Sequence, residues 1–416
     1  MRYVIFCDDY CLYDSQLNEL QVENPSLKQE LNAVSELSFV IHPSHPYYNN
    51  ISKLSSIIKM YRDDNLLFKG RVITSKIGFH NEKSIVCEGV LAFLLDTVIR
   101  PFDFPNDKQF EDLDYDNDNV VEYFLKWVLK CHNEQAKDFQ KIKLGTVTVT
   151  DQNNYLARSS IEFLSAWEVI KSRLLDTHGG YLVIKEIDGE NVLDYLEDFT
   201  DTGFDNGNKL VCNQTIEFGE NLIDLTQEAS GSDIKTGIIP LGARLEDDDG
   251  NQTDKYLTIE SLPDGMLSEG IVKTGDHILN KTLAKSYGAI YEVVKWNDVT
   301  KPENLQSKAI SYIADSVKFK NSITIKAIDL KLTNEQIGAF KIGEYIKCFS
   351  EPHGIDDLYL LQKISIDIKN PQNTTIELNK NSLSFTDKVL ENKKNTDNII
   401  TRIDRVERGY INNGSI

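Results

Sequence analysis

The chain has 416 residues and carries 45 Lys+Arg against 65 Asp+Glu, a formal charge of −20 at pH 7. Hydrophobic residues at 40%, with 18 Tyr and 18 Phe, exclude a disordered or collagen-like chain. The acidic balance argues against a duplex-binding surface, which needs clustered Lys and Arg. The length calls for roughly two to four domains.

The first hundred residues alternate in short runs. Leu37–Ile41 leads into Pro43 and a His/Pro/Asn-rich loop, Ser44–Asn50. Ile57–Tyr61, Leu66–Phe68, Val72–Ile77 and Ser84–Glu88 follow, parted by Asp63–Asn65, Gly70 and His80–Asn81. Short strands at this spacing predict an antiparallel barrel or sandwich over residues 1–102. Then the pattern changes. Asp112, Asp114, Asp116 and Asp118 precede Val120–His132, where Val121, Phe124, Leu125 and Val128 recur at helical spacing. Acids ahead of a helix complement its positive end. A second helix is predicted over Ser160–Thr177, with Ile161, Leu164, Trp167 and Ile170–Leu174 on one face and Gly179–Gly180 ending it. Residues 103–205 are therefore expected to form a mixed α+β domain.

Strands return at Thr215–Phe218 and Gly237–Gly242, before an acidic break at Glu246–Asp249. Residues 246–316 are read as an inserted α+β domain whose helix, Glu303–Val317, starts at Pro302. Ile323–Ala327, Tyr345–Phe349, Leu358–Ile368 and Thr375–Leu378 then complete a second β domain, residues 206–245 with 317–382. The remainder, 383–416, is read as a helical stem. Phe385, Val389, Asn392, Thr396, Ile399, Ile403, Val406 and Tyr410 recur in steps of four and three, a heptad register with a polar centre. The start of a coiled coil fits this spacing, and so does one amphipathic helix folded back on its own subunit.

Reactive constellations are scarce. The Asp112–Asp118 run lacks the sixth-position Gly and closing Glu of a calcium loop, and the Asp247–Gly250 stretch begins from Leu245 where a ligand is needed. His42 and His45, flanked by Pro43 and Pro46, have no local third ligand and are read as lining a turn. Six scattered cysteines are read as reduced thiols in cores. No nucleophile elbow and no phosphate-binding loop occurs. No catalytic, cofactor-binding or metal-binding residue is assigned, and no cofactor is expected. The N-terminus, MRYVIFCDDYCLYD, has acids where a signal peptide has its apolar run, and no window reaches a membrane span. Synthesis in the cytoplasm without a signal peptide is expected.

One ordered set of strings is more specific. NPSLKQELN (24–32), ELSFVI (36–41), HPSHPYYNNI (42–51), LLFKGRV (66–72) and CEGVLAFLLDTVIRP (87–101) resemble the N-terminal region of siphophage and prophage minor structural proteins. These are the tail-tip hub, or tail-associated, proteins of the prophage endopeptidase tail family in phages of Gram-positive bacteria. IEFGENLIDLTQEASGSDIKTGIIPLGARL (216–245), WNDVTKPENL (296–305) and the segment 328–380 are similar to the same family's central part.

The resemblance implies a baseplate-hub-like fold: β-rich α+β, with two antiparallel β-barrel tube domains, two mixed α/β inserted or following domains, and a C-terminal helix. It implies a homotrimer at the virion tail tip that contacts the distal tail protein and the tape measure protein and closes the tail tube. Contact with host cell-wall glycan is implied only through a C-terminal part that relatives carry, and this chain is expected to lack both that part and its hydrolase. Phe385, Val389, Ile399, Ile403, Val406 and Tyr410 are the expected oligomerisation stem. No specific nucleic-acid binding and no membrane association is expected. A tail-associated peptidoglycan hydrolase or a receptor-binding module is the alternative.

Overall fold

Seven strands arise from the alternating runs at the start of the chain: β1 Tyr3–Cys7, β2 Tyr10–Asp14, β3 Glu23–Glu30, β4 Glu36–Ile41, β5 Ile57–Arg62, β6 Asn65–Ile77 and β7 Lys83–Gly89. Burial follows the alternation. In β4, Leu37, Phe39 and Ile41 are buried while Glu36, Ser38 and Val40 are not, so one face packs and the other stays open. Six more strands come from the second half: β8 Ile216–Glu217, β9 Leu222–Ala229, β10 Asn321–Ala327, β11 Tyr345–Ser350, β12 Ile355–Asp367 and β13 Thr375–Asn379. The structure is a computed structural model that describes residues 1–114, 118–151, 154, 156–199, 209–229, 235–246, 252–268, 270–296, 299–316, 321–334 and 336–379.

Both sets belong to one 13-stranded sheet, ordered β9-β10-β13-β12-β3-β4-β7-β6-β5-β1-β2, with β11 on β12 and β8 on β11. The halves meet where β12 pairs antiparallel with β3, Ile364 opposite Gln29 and Ile366 opposite Leu27. One hydrophobic cluster lies beneath them, holding Ile5, Leu27, Phe39 and Ile85 from the first half and Ile325, Ile346, Leu361 and Ile376 from the second. The two long strands turn the corners, as strands that switch layers do in barrel-like sandwiches. β6 pairs β5 up to Arg71 and β7 from Gly70 onward, with a bulge between Val72 and Thr74. β12 pairs β11 over Ile355–Leu360 and β3 over Lys363–Asp367.

A second core builds the α+β segment. The helix Val120–Gln135 is capped by Asn119, whose side chain accepts from the Val121 N–H at 3.0 Å. It buries Phe124, Leu125, Val128 and Leu129 against Ala166, Val169, Ile170 and a three-stranded sheet of Ile142–Val147, Glu190–Leu196 and Tyr181–Ile187. This cluster begins at Val90, in the 3-10 turn that follows β7, earlier than the expected boundary at 103. The predicted Ser160–Thr177 helix begins only at Ala166, because Ser165 and Glu168 form a capping box. Arg158–Ser160 is a strand paired with Phe102–Phe104, and Ile161 is 92% exposed.

Contacts divide the chain into two units, with joins at Gln227/Glu228 and Ser322/Ile323. The second unit has a five-stranded sheet ordered Gly265–Ser268, Ile271–Thr274, His277–Asn280, Gly237–Leu241, Tyr291–Lys295, and a helix, Pro302–Ser316. Ile238, Ile278, Leu305, Ala309 and Ile313 form its core. Gly237–Leu241, expected in the second barrel, lies here instead. It pairs antiparallel with His277–Asn280 and parallel with Tyr291–Lys295, and a parallel pair needs the long crossover that residues 242–290 supply.

Candidate assembly surface

Opposite the shared core, outward side chains of neighbouring strands stand in register. One row runs Glu377, Lys363, Glu30 across β13, β12 and β3. The next runs Thr375, Ser365, Lys28, Glu36, Glu88 and ends at Arg71, which the α+β segment covers, and a third runs Asp367, Ser26, Ser38, Val86, Thr74. Lys28 reaches Glu36 at 3.4 Å and Lys363 reaches Glu30 at 3.2 Å. Exposed pairs of this kind contribute only ~0.2–1 kcal/mol. Their chemical consequence is larger than their energy. Hydroxyls and neutralised charges give a wall with little apolar surface for a neighbouring chain to adhere to.

These rows cross six strands, β13-β12-β3-β4-β7-β6; the sheet continues beyond β13 to β10 and β9, and the two ends of this eight-strand run are open among the described residues. Among the described strands β9 neighbours β10, with one further bridge from Leu222 to Phe218. β6 outlasts its partner β5, whose register ends at Ile57 opposite Arg71, while β7 continues to Lys83 opposite Ile77. Ile73–Ile77 is therefore paired on one side. Ile73 is 37% exposed, Ile77 59% and, on β9, Ile223 51%. Open strands bearing exposed isoleucines are templates for pairing with another chain.

Two polar clusters, each centred on a buried arginine, hold the wall in place. The Arg71 side chain, 7% exposed, donates to Glu88 from Nε at 2.7 Å and forks onto both oxygens of Asp96, one contact at 2.9 Å. Its guanidinium carbon lies 5.3 Å from the centre of the Phe93 ring, and Asp96 also accepts from Gln140 at 2.8 Å. This ties the sheet to the α+β segment.

The other cluster links the two halves of the sheet. Arg62 on β5, 4% exposed, donates to the Phe340 carbonyl at 3.1 Å. Asp329 accepts from the Phe340 N–H at 3.1 Å and from Gln214 at 2.9 Å. Burial beside these groups raises the Glu344 carboxyl above its usual range, against the pull of Lys341, Cys212 and Arg62. A carboxyl raised in the folded state contributes stability below its unfolded pKa and loses it as pH rises through the folded value. Glu344→Gln is therefore expected to raise the melting temperature at pH 7–8 and to lose that advantage near pH 4, as scanning calorimetry at both pH values will read.

The residues expected to carry a site fall as follows. The stem Phe385, Val389, Ile399, Ile403, Val406 and Tyr410 lies outside the described residues, as do Asp116 and the 247–250 cluster. Asp112 accepts from the Tyr123 hydroxyl, and Asp118 accepts from the Asp114 N–H at 3.1 Å, both as turn contacts. His45 is buried in a turn, donating from Nε2 to Leu12 O at 2.9 Å and accepting the Tyr47 N–H at Nδ1. His42 lies 3.1 Å from Glu23. All six thiols are free, and burial pushes Cys7 and Cys212 up to about 11. Among the described residues no three His, Cys, Asp or Glu gather as a metal-ligand set, and no helix is long and apolar enough to cross a membrane. Sequence reasoning missed the open strand ends. Their signal was present: Ile73 and Ile77 are apolar residues that follow the buried run Gly70–Val72 along the same strand.

Comparison with known proteins shows what this fold is similar to. Residues 212–389 match the family described as prophage endopeptidase tail. No curated protein matches the sequence. Among solved structures, the 43 kDa tail protein of prophage MuSo2 from Shewanella oneidensis is 12% identical, with TM-score 0.55 over 91% of this chain and 98% of that one. A tail protein from Neisseria meningitidis is also 12% identical, with TM-score 0.56 over 91% and 96%. Prophage tail protein gp18 from Listeria monocytogenes is 12% identical, with TM-score 0.51 over 95% and 99%. At such identities the likeness is one of fold, and it spans nearly the whole of each chain. The chain shares the β-rich fold of these phage tail proteins, and its residues 212–389 match the prophage endopeptidase tail family.

Proposed function

We propose that three copies of this chain form a tail-tip hub, each contributing its eight-strand wall to one closed ring. The observation that carries this is the pair of open ends: β9 at one side of the wall and Ile73–Ile77 of β6 at the other. An end of one copy pairing with the opposite end of the next is a heterologous contact that closes only in a ring. Closure also removes the aggregation hazard of exposed strand edges. Three walls make about 24 strands; at ~4.8 Å each the circumference is about 115 Å and the width roughly 37 Å before tilt enlarges it. A helix with its side chains is only ~10–12 Å across, so the polar wall would enclose a tape measure protein without gripping it.

In this reading the protein is structural, in the virion of a phage or prophage, and has no catalytic role. The distal tail protein caps the ring from above, and host-contact parts are anchored below; the Gram-positive host rests on the sequence resemblance. The family's description includes the word endopeptidase, which makes cell-wall hydrolysis the competing reading. Light scattering decides between them. A mass near 142 kDa, three times 47.4 kDa, with no clearing of cell walls in a zymogram, is expected. A single-chain mass at every concentration together with wall lysis would overturn the proposal.

A further inference from the structure

A cleft of about 440 Å³ opens between the start of β6, the end of β3 and the strand Tyr181–Ile187. That is within the ~300–1,000 Å³ usual for ligand sites. Two of its walls are strands with an open side. Tyr181–Ile187 is the outer strand of its three-stranded sheet, and its ladder partner is Glu190–Leu196. Leu66–Lys69 pairs with β5 but not with β7, whose register on β6 begins at Gly70.

The chain itself shows what these strands accept. Asn32 places its side-chain amide against Tyr181–Ile187 as a peptide group would, accepting the Leu182 N–H at 2.8 Å and donating to Gly180 O at 2.8 Å. Gln29 does the same on β6, donating to Leu67 O at 2.8 Å. The pairing with Glu190–Leu196 has no register shift, so Ile184 and Glu186 turn their N–H and C=O to the same side as Leu182, towards the cleft. Between those groups the walls are apolar, with Leu31, Leu67, Leu91 and Phe199.

The charges of the cleft are already matched. Lys59 reaches Glu186 at 2.9 Å, Lys69 also contacts Glu186, and Lys185 contacts Asp194. Little is left to attract an ionic ligand. Among the described residues the outer side of Ile184 and Glu186 has no ladder partner, and backbone is complementary to backbone.

We propose that this cleft binds an extended, uncharged segment of a partner polypeptide. The segment adds as a fourth strand beside Tyr181–Ile187, with apolar side chains at alternate positions filling the wall of Leu31, Leu67 and Leu91. This is strand addition, in which ladder bonds supply affinity and alternate side chains supply selectivity. About four residues, ~14 Å of strand, cover the stretch from Asn32 to Glu186.

The test is fluorescence anisotropy of the full chain with a capped, labelled octapeptide alternating Val and Thr. Saturable binding is expected, with at least tenfold weaker binding to Ile184→Pro. Proline is tolerated on an outer strand where the N–H faces away from the sheet, so unchanged circular dichroism checks that the variant folds. The same octapeptide N-methylated at alternate residues should lose affinity to the same degree. Three results would overturn the proposal: equal binding of a peptide with all its valines first and all its threonines after, equal binding to Ile184→Pro, or no saturation up to millimolar peptide. So would binding that appears only after residues 380–416 are removed, since the occupant would then be this chain's own tail. None of these readouts depends on whether the chain forms a ring.

Discussion

Ser75→Pro is expected to turn the proposed trimer into single chains at micromolar concentration while leaving each chain folded. The reason lies in which way the backbone faces. Gly78 donates its N–H to Glu82 O at 2.8 Å, towards β7, so by alternation Lys76 and Thr74 face β7 and Ser75 faces away. Proline at Ser75 removes a donor that has no ladder partner within the wall and sets a ring in the path of an arriving strand. Each interface should lose about 1–3 kcal/mol through the missing bond and the acceptor left unpaired, and a closed ring loses three interfaces together. Light scattering reads the mass and circular dichroism the fold. A variant that remains trimeric would place the contact between copies elsewhere.

Arg71→Met should have the largest effect on the fold itself. Arg71 answers both Glu88 and Asp96 while almost wholly buried, and removing it strands two carboxylates at the join between the sheet and the α+β segment. Arg71 is buried, but Glu88 and Asp96 keep 20% and 34% of their side chains in water. The loss should therefore lie between that of an exposed and a fully buried pair, roughly 1–3 kcal/mol, to be measured as a shift in the urea midpoint at constant slope. Adding Glu88→Gln and Asp96→Asn to the same chain should restore much of the loss, because the uncompensated charge is then gone. Lys28→Met, on the open face, should cost less than ~1 kcal/mol by comparison. If Arg71→Met and Lys28→Met behave alike, the join is held by its apolar contacts rather than by the guanidinium.

Ser75 and Arg71 belong to two parts of one arrangement. The pairing of β12 with β3 makes the wall continuous, and it leaves the free segments β9 and Ile73–Ile77 at opposite ends. In the proposed hub the features that matter are register and open backbone. The cleft beside Tyr181–Ile187 follows the same principle on a smaller scale.

Much of this was legible in the residues. Alternation placed the strands of both halves, and the steps among Val121, Phe124, Leu125 and Val128 placed the helix that the structure has at Val120–Gln135. The ordered strings pointed to the phage tail family through which residues 212–389 are matched. These signals are local: periodicity and composition act within a short window, and each element can be read without its neighbours. Helix starts were less secure. Ile161 and Leu164 continue the apolar period backward from Trp167, but the capping box of Ser165 and Glu168 begins the helix at Ala166 and leaves Ile161 in water.

Partner choice was not written in the same way. Gly237–Leu241 reads as a strand in any window, yet only the chain's return at Tyr291–Lys295 draws it into the second unit's sheet. Likewise, nothing near Leu27 or Ile366 announces that two strands from opposite ends of the chain lie side by side and make one sheet of two β regions. Residue type decided which positions could be strand and which face would be buried, because burial depends on each side chain's own affinity for water. The joins, the open ends and the cleft depend on which of many equally apolar edges meet, and that is decided by the packing of the whole chain.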